Sequence, residues 1–391
     1  MSLTWEICPH FGECGGCQLQ DIPYPEQLAL KENAVRDALA AEEFSDTVIH
    51  SPIGAESPVR YRNKMEFTFD TSGRPGLHRR GDYLNIVPIN QCNLCSESME
   101  EVLRRVADWS RRWGLSGYDK HAHTGLLRHL SLRTSRRDEL LVSLFTSREE
   151  LTEREERALG DLPDELQDLP VRGLLWVVNP ARADAARTDE GRRVLLAGDE
   201  AFVDYLAGFE YRIEVDTFFQ INVPGAEKLI ETVLEFSRST LIEGPTFDLF
   251  SGVGTFSLPL AEELAPDPVV GIEIVSSAVK SARRNAARNE LSNAHFIESD
   301  ARRGIPLALE RWRKPARVVL DPPRSGAGGK VMRKIGRSQA DVVIYVSCNP
   351  DSFAVDVRQL SEFGYRPERV VPVDMFPQTH HVEIVSLLQR E

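Results

Sequence analysis

The chain has 391 residues, 41% hydrophobic and 27% charged, a globular composition long enough for two or three domains. Its formal charge is −13, and no apolar run reaches the length of a membrane span. This excludes a bilayer-crossing helix and a protein that is basic throughout. Residues 1–8 show neither a basic region nor a long apolar stretch, so no leader is expected and the cytoplasm is the default compartment. There, six cysteines serve metal binding or catalysis more often than disulfides.

Three thiols come first, Cys8, Cys14 and Cys17, spaced closely enough to converge. A fourth must come from Cys92 or Cys95, and four thiolates suit zinc or an iron–sulfur cluster equally well. A helix is predicted from Pro25 to Ala41, with Leu28, Leu30, Ala34, Val35 and Leu39 on its apolar face. Residues 58–222 carry strand signals. Asn63–Asp70 alternates polar and apolar, Thr71–Gly76 is a turn, and Leu77–Ile89 is the return strand. A second hairpin is predicted from His129–Thr134 and Glu139–Phe145, followed by a charged helix at 148–159. Residues 57–137 hold 15 Lys and Arg against 8 Asp and Glu, a local excess of +7 that could meet phosphates.

Beyond residue 223 the rhythm becomes helix and strand in alternation. Helices are predicted at 224–238, 256–264, 276–290, 328–337 and 351–362. Strands are predicted at 246–250, 269–273, 295–299, 316–321 and 341–347, with two more at the end. That pattern predicts a parallel sheet covered on both faces, with its chemistry at the C-terminal strand ends. At those ends stand Gly252 and Gly254 in a glycine turn, Glu273 spaced to meet ribose hydroxyls, and Asp300 placed to reach an adenine amino group. Asp321-Pro-Pro-Arg324 and Ser347-Cys-Asn-Pro350 end two further apolar runs. Position 257 is Ser, so the third glycine of a dinucleotide fingerprint is missing and NAD is weakly supported.

Six blocks in order carry a resemblance: Phe218-Phe-Gln-Ile-Asn222, Asp248-Leu-Phe-Ser-Gly-Val-Gly254, Gly271-Ile-Glu273, Asp321-Pro-Pro-Arg324, Ser347-Cys-Asn-Pro350 and Asp374–Glu383. Together the chain resembles the S-adenosylmethionine-dependent RNA uracil-5 methyltransferases over about residues 8–390. Gln378 stands where bacterial relatives often have His, and Thr255 where many have Asn.

The resemblance implies an α/β fold in three parts. These are an iron–sulfur segment and helix over 1–57, an antiparallel β-rich RNA-binding region over 58–217, and a Rossmann-like methyltransferase domain over 218–391. It implies Cys348 as the nucleophile that adds to carbon 6 of uracil and Glu383 as the base. Gln220, Phe250, Glu273, Asp300 and Asp321 would line the S-adenosylmethionine site. Cys8, Cys14, Cys17 and Cys92 match the family's [4Fe-4S] ligands, with Cys95 an extra thiol. Phe218 could stack on the target base. The N-terminal segment most resembles the 23S ribosomal RNA branch, so ribosomal RNA is the expected partner and transfer RNA the alternative. A monomer is expected. The rivals from other classes are a catalytically silent RNA-binding or assembly protein and an iron–sulfur redox enzyme.

Overall fold

The structure, a computed structural model, describes residues 5–180, 191–215, 217–240 and 242–390. The leader-free reading rests partly on residues 1–4, which lie outside the described residues. The chain begins with α1 (Tyr24–Ala41) and β1 (Val48–Ile49), then β2 (Lys64–Phe69), β3 (Pro75–Arg79), β4 (Asp82–Pro88) and α2 (Glu97–Trp113). Next come β5 (Leu127–Thr134), β6 (Leu140–Thr146), α3 (Glu153–Glu165), β7 (Val171–Val178), β8 (Arg193–Gly198), β9 (Ala201–Leu206) and β10 (Phe209–Glu214). The alternating part runs α4 (Val223–Ser239), β11 (Thr246–Leu249), α5 (Ser257–Glu263), β12 (Val269–Glu273), α6 (Ser276–Arg288), β13 (Ala294–Glu298), α7 (Ala301–Trp312), β14 (Arg317–Leu320), α8 (Gly329–Ser338), β15 (Val342–Ser347), α9 (Pro350–Ser361), β16 (Tyr365–Val373) and β17 (Glu383–Arg390).

Two compact units result. One comprises Met1–Asp21, Ser57–Asp204 and Arg212–Thr217; the other comprises Ile22–Glu56, Tyr205–Tyr211 and Phe218–Glu391. The segment holding α1 therefore clusters with the C-terminal unit, unlike the expected 1–57 grouping. The reason is packing: Val35, Ala38 and Leu39 join the core formed by β11, β14, β15 and α9.

The first unit is a seven-stranded sheet ordered β4-β3-β2-β5-β6-β7-β8. Its neighbours are antiparallel except β6 and β7, which run parallel. That parallel step requires a crossover, and α3 supplies it. Thr152 and Glu155 form a capping box that starts α3 later than the predicted 148. The expected return strand Leu77–Ile89 is instead two strands, β3 and β4, hinged at Gly81 (φ +74°). The amphipathic helix α2 stands where only strands were expected. Its Met99, Val102, Leu103, Val106 and Trp109 are buried at helical spacing between a Ser96 cap and Gly114.

The second unit holds an eight-stranded sheet ordered β1-β16-β17-β15-β14-β11-β12-β13. Every pairing is parallel except those of β17, which runs antiparallel to both β15 and β16. The chain proceeds outward from β11 through β12 to β13, then returns to the other side of β11 as β14. The reversal between β11 and β14 is the topological switch point, where open α/β sheets open a crevice. β11, β14 and β15 are buried along their whole length, as strands covered on both faces must be.

Candidate active site

The expected site residues of the second unit stand at or just beyond strand ends, except Gln220, which precedes α4. β15 delivers Cys348. Ser347 accepts a bond from the Asn349 amide (3.3 Å), and the Asn349 side chain caps α9 through the Asp351 amide (3.1 Å). Cys348 thus sits in a tight strand-to-helix turn before the N-terminus of α9.

β17 delivers Glu383 from the opposite direction. Ser347, the last residue of β15, is the register partner of Ile384, so Cys348 and Glu383 each stand one residue from the final pair of the antiparallel ladder. Asp321 follows the end of β14, and its amide donates to the Leu249 carbonyl at 3.3 Å.

The electrostatics join these groups in one neighbourhood. Burial pushes the Cys348 thiol up to about 11, with the Glu383 and Asp321 charges adding and Arg324 opposing. Burial, reinforced by Asp321, holds the Glu383 carboxyl well above its ordinary range. Burial raises Asp321 to about 7. Burial alone raises Asp321, and its charge in turn raises both Glu383 and Cys348, since like charges resist ionising together. The loop after Asp321 is fixed from α9. Asp356 accepts from the Tyr345 hydroxyl and the Ala327 amide, each at 2.7 Å. The Arg324 carbonyl accepts from Asn349 (3.0 Å) and Ser352 (3.1 Å), tying the Asp-Pro-Pro-Arg loop to the cysteine turn.

The glycine turn lies beside this group. Phe250 is half-buried at φ +62°, Gly252 at +54° and Gly254 at +94°. Glu273, at the end of β12, accepts from the Gly252 amide (3.0 Å) and the Val275 amide (2.8 Å). Its carboxylate thereby fixes the turn and keeps lone pairs for a ligand. Asp300 caps α7 through the Arg303 amide at 3.2 Å. Gln220 is half-buried just before α4, and Phe218 is exposed.

One acid escaped the sequence reading as a site residue. Asp248 on β11 is 1% exposed, accepts from Ser257 through one oxygen and leaves Oδ1 without a partner. Burial lifts it to about 7, against the Ser257 bond and with Asp321 and Glu273 adding. The signal was its place at the head of Asp248-Leu-Phe-Ser-Gly252. A separate cavity of about 580 Å³, lined by residues including Arg283, His295 and Trp312, lies along β13 and touches none of these acids.

In the first unit, Cys14, Cys17, Cys92 and Cys95 are buried and Cys8 is half-buried. Among the described residues, no three His, Cys, Asp or Glu side chains come together as a metal site. The four expected ligands still share one neighbourhood. Burial raises Cys8, Cys14 (to about 11) and Cys17 (to about 12), and the charge of Cys92 acts on all three. Cys95 is fully buried, with its thiol turned to the Cys92 carbonyl at 3.6 Å. The Gly15 amide donates to His78 (2.9 Å) and the Arg80 amide to Glu13 (2.8 Å), fastening the cysteine segment to the β3–β4 hairpin.

The arginine excess of 57–137 is not an open basic face. Arg74, Arg79, Arg105, Arg111 and Arg112 pair with carboxylates, while Arg128 and Arg133 are buried. His380 is exposed, and the described residues around it form no ligand group.

A parallel sheet with a glycine turn at its switch point, and acids at the ends of successive strands, defines a Rossmann-like S-adenosylmethionine-dependent methyltransferase. Comparison with known proteins narrows the class. A family described as tRNA (uracil-5-)-methyltransferase matches residues 134–391. An RNA methyltransferase of Caldanaerobacter subterraneus is 37% identical, covering 98% of this chain and 84% of its own length. One from Clostridium acetobutylicum is 35% identical over the same shares. The crystal structure of Pyrococcus abyssi tRNA (uracil-54, C5)-methyltransferase with S-adenosyl-L-homocysteine is 28% identical, with a TM-score of 0.77, covering 95% of this chain and 85% of that one. The chain belongs to the S-adenosylmethionine-dependent RNA uracil-5 methyltransferase family and is an RNA methyltransferase.

Proposed function

We propose that the protein methylates carbon 5 of one uridine in RNA through a covalent adduct on Cys348, with Glu383 as the base. The observation that carries this reading is that the β15–β17 ladder ends at Ser347 and Ile384, the neighbours of Cys348 and Glu383, and that the Glu383 and Asp321 charges both act on the thiol. Carbon 5 of uracil is a poor nucleophile. Addition of the Cys348 thiolate to carbon 6 makes an enolate whose carbon 5 accepts the methyl group. Glu383 then takes the carbon 5 proton, the ring double bond reforms, and the thiolate leaves. A uracil in a helix hides carbon 6, so the target must be unpaired or flipped out. Exposed Phe218, two residues before Gln220, supports a stacking role for its ring. Gln220, Phe250, Glu273, Asp300 and Asp321 are proposed to line the donor site.

The proposed RNA is 23S ribosomal RNA, which the likeness of the cysteine segment supports. A second reading, transfer RNA, is favoured by the Pyrococcus enzyme, whose name states that substrate. Cys8, Cys14, Cys17 and Cys92 are proposed to hold a [4Fe-4S] cluster. The common charge neighbourhood of the four thiols supports this set, and Cys92 is taken as the fourth over its hydrogen-bonded neighbour Cys95 on the family resemblance alone. The cluster would supply a structural tie between the N-terminal segment and the hairpin, since methyl transfer moves no net electrons.

The test is a methyl-transfer assay with labelled donor on unmodified ribosomal and transfer RNA, with the product mapped by mass spectrometry. Label at carbon 5 of one ribosomal uridine supports the first reading, and label in transfer RNA alone replaces it with the second. In the same assay Glu383→Gln should accumulate an RNA–protein adduct that survives denaturing gels. Normal product formation without adduct would remove Glu383 from the base role.

A further inference from the structure

We infer that α1 positions the catalytic base: its buried Lys31, with Tyr24 and Gln27, clamps the loop 374–379 that leads into Glu383. This deepens the proposed mechanism and rests on Glu383 being its base.

The three residues lie at i, i+3 and i+7 on one helical face. All are buried, with Gln27 at 0% and Lys31 at 2% exposure. Burying polar groups on a helix is unfavourable unless each finds a partner, and here one loop supplies a partner to all three. Lys31 Nζ lies 2.5 Å from Asp374 Oδ1 and donates to the Phe376 carbonyl at 3.1 Å. The Tyr24 hydroxyl donates to Asp374 Oδ2 at 2.8 Å and accepts the Ala55 amide at 2.6 Å. Gln27 and Gln378 bond reciprocally. The Gln27 amide donates to Gln378 Oε1 at 2.9 Å, and the Gln378 backbone amide donates to Gln27 Oε1 at 3.0 Å. Gln378 holds a left-handed backbone (φ +70°) inside this grip.

The loop is short of regular structure, yet it must fix where β17 begins. Val373, the last residue of β16, pairs with Glu383, the first of β17. Residues 374–382 therefore form a closed excursion whose two ends meet at the base. Asp374 also accepts the Phe376 amide at 3.1 Å, so one carboxylate organises the turn and receives the helix. Gly225 leaves no room on the other side, since a Cβ there would lie 2.6 Å from Met375 Sδ. A loop held from both sides fixes the carboxyl of Glu383 relative to the carbon 5 proton. Proton abstraction depends steeply on that distance. Attack by Cys348, held by β15 and α9, does not depend on the loop.

The experiment compares the wild type with Lys31→Met, Lys31→Met/Asp374→Asn and Glu383→Gln, all in the full chain. Lys31→Met alone strips the buried Asp374 of its cation and puts folding at risk. The double variant removes both charges, and the carboxamide it places at position 374 can accept from the Phe376 amide through its one oxygen and donate to the Tyr24 hydroxyl through its NH2. S-adenosyl-L-homocysteine affinity, melting temperature, kcat and KM for RNA, the adduct fraction on denaturing gels, and hydrogen exchange of 374–382 are measured. We expect the double variant to bind S-adenosyl-L-homocysteine and RNA within about threefold of wild type. Its kcat should fall at least tenfold, its adduct fraction should rise toward that of Glu383→Gln, and the Gln378 amide should lose protection. Turnover within twofold of wild type with unchanged exchange would overturn the clamp. So would loss of S-adenosyl-L-homocysteine binding in step with activity, the mark of a merely structural role. If Glu383→Gln itself turns over normally, the base reading fails instead, and exchange at 374–382 still decides whether α1 holds the loop.

Discussion

At the scale of single residues, the site is a set of acids kept from ionising. Asp248 and Asp321 hold protons in the fold up to about pH 7, whereas exposed aspartates release them near 4. The native state therefore binds more protons than the unfolded chain between those values. The stability this contributes is fully present below about pH 4 and is lost as pH rises through about 7. Asp248→Asn removes one such group and keeps an acceptor for Ser257. Its melting temperature should exceed that of the wild type at pH 8 and match it near pH 4; a constant difference across that range would count against the buried-acid account. Donor binding should move the other way. The sulfonium of S-adenosylmethionine is a cation, and ionised acids at the strand ends attract it. Its affinity relative to neutral S-adenosyl-L-homocysteine should rise several-fold from pH 6 to 8, read by calorimetry. The thiol adds a third dependence. With Cys348 near 11, its thiolate fraction grows tenfold per pH unit below that value. The kcat/KM for RNA should climb between pH 7 and 9, and a flat profile would contradict an uncatalysed deprotonation. Cys348→Ala should abolish turnover and leave S-adenosyl-L-homocysteine binding near normal, because the donor groups stand on other strands.

Among the elements, the glycine turn after β11 offers a graded test. A Cβ on Gly252 meets nothing within 4 Å, whereas one on Gly254 would approach Leu258 Cδ1 to 2.3 Å. Both glycines have positive φ, which costs an alanine about 1–2 kcal/mol. Gly252→Ala should lose only that strain in a denaturant melt. Gly254→Ala should lose more, since the buried Leu258 side chain against it must move as well. The positions of this turn, Asp321 and Cys348 just beyond strand ends were legible from the sequence, because such motifs are local. Other elements were not. The periodicity of α2 was present in Met99, Val102, Leu103 and Val106, but its strand-rich surroundings hid it. α7 was obscured by Gly304 and Pro306 within it. For α1 the apolar pattern was right for Val35 and Leu39 and wrong at its start. Leu30 is exposed and Ala34 faces solvent, while Gln27 and Lys31 are buried. The partner that makes burial of Lys31 tolerable, Asp374, lies 343 positions away. No window on the helix could contain it.

For the whole molecule, two units divide the work, and the proposed cluster belongs to the one without the donor site. Anaerobically purified protein should contain about four irons per chain, the count of a four-thiolate cubane. Cys92→Ser should lose the iron and Cys95→Ser should keep it. Loss should loosen the N-terminal segment and weaken RNA methylation while sparing S-adenosyl-L-homocysteine binding, because metal binding couples to local folding. Protein holding one zinc would refute the cluster and leave the methyltransferase untouched. The β17 strand has a consequence of another kind. It fills a slot between β15 and β16, both of which precede it along the chain. β16 joins β15 in the sheet only through β17, so as the polypeptide emerges from the ribosome β15 stays an edge strand until β17 is made. The nucleophile's strand is synthesised well before the base that completes it. A nascent enzyme could thus form its donor crevice early, yet remain inert toward RNA until β17 is threaded home.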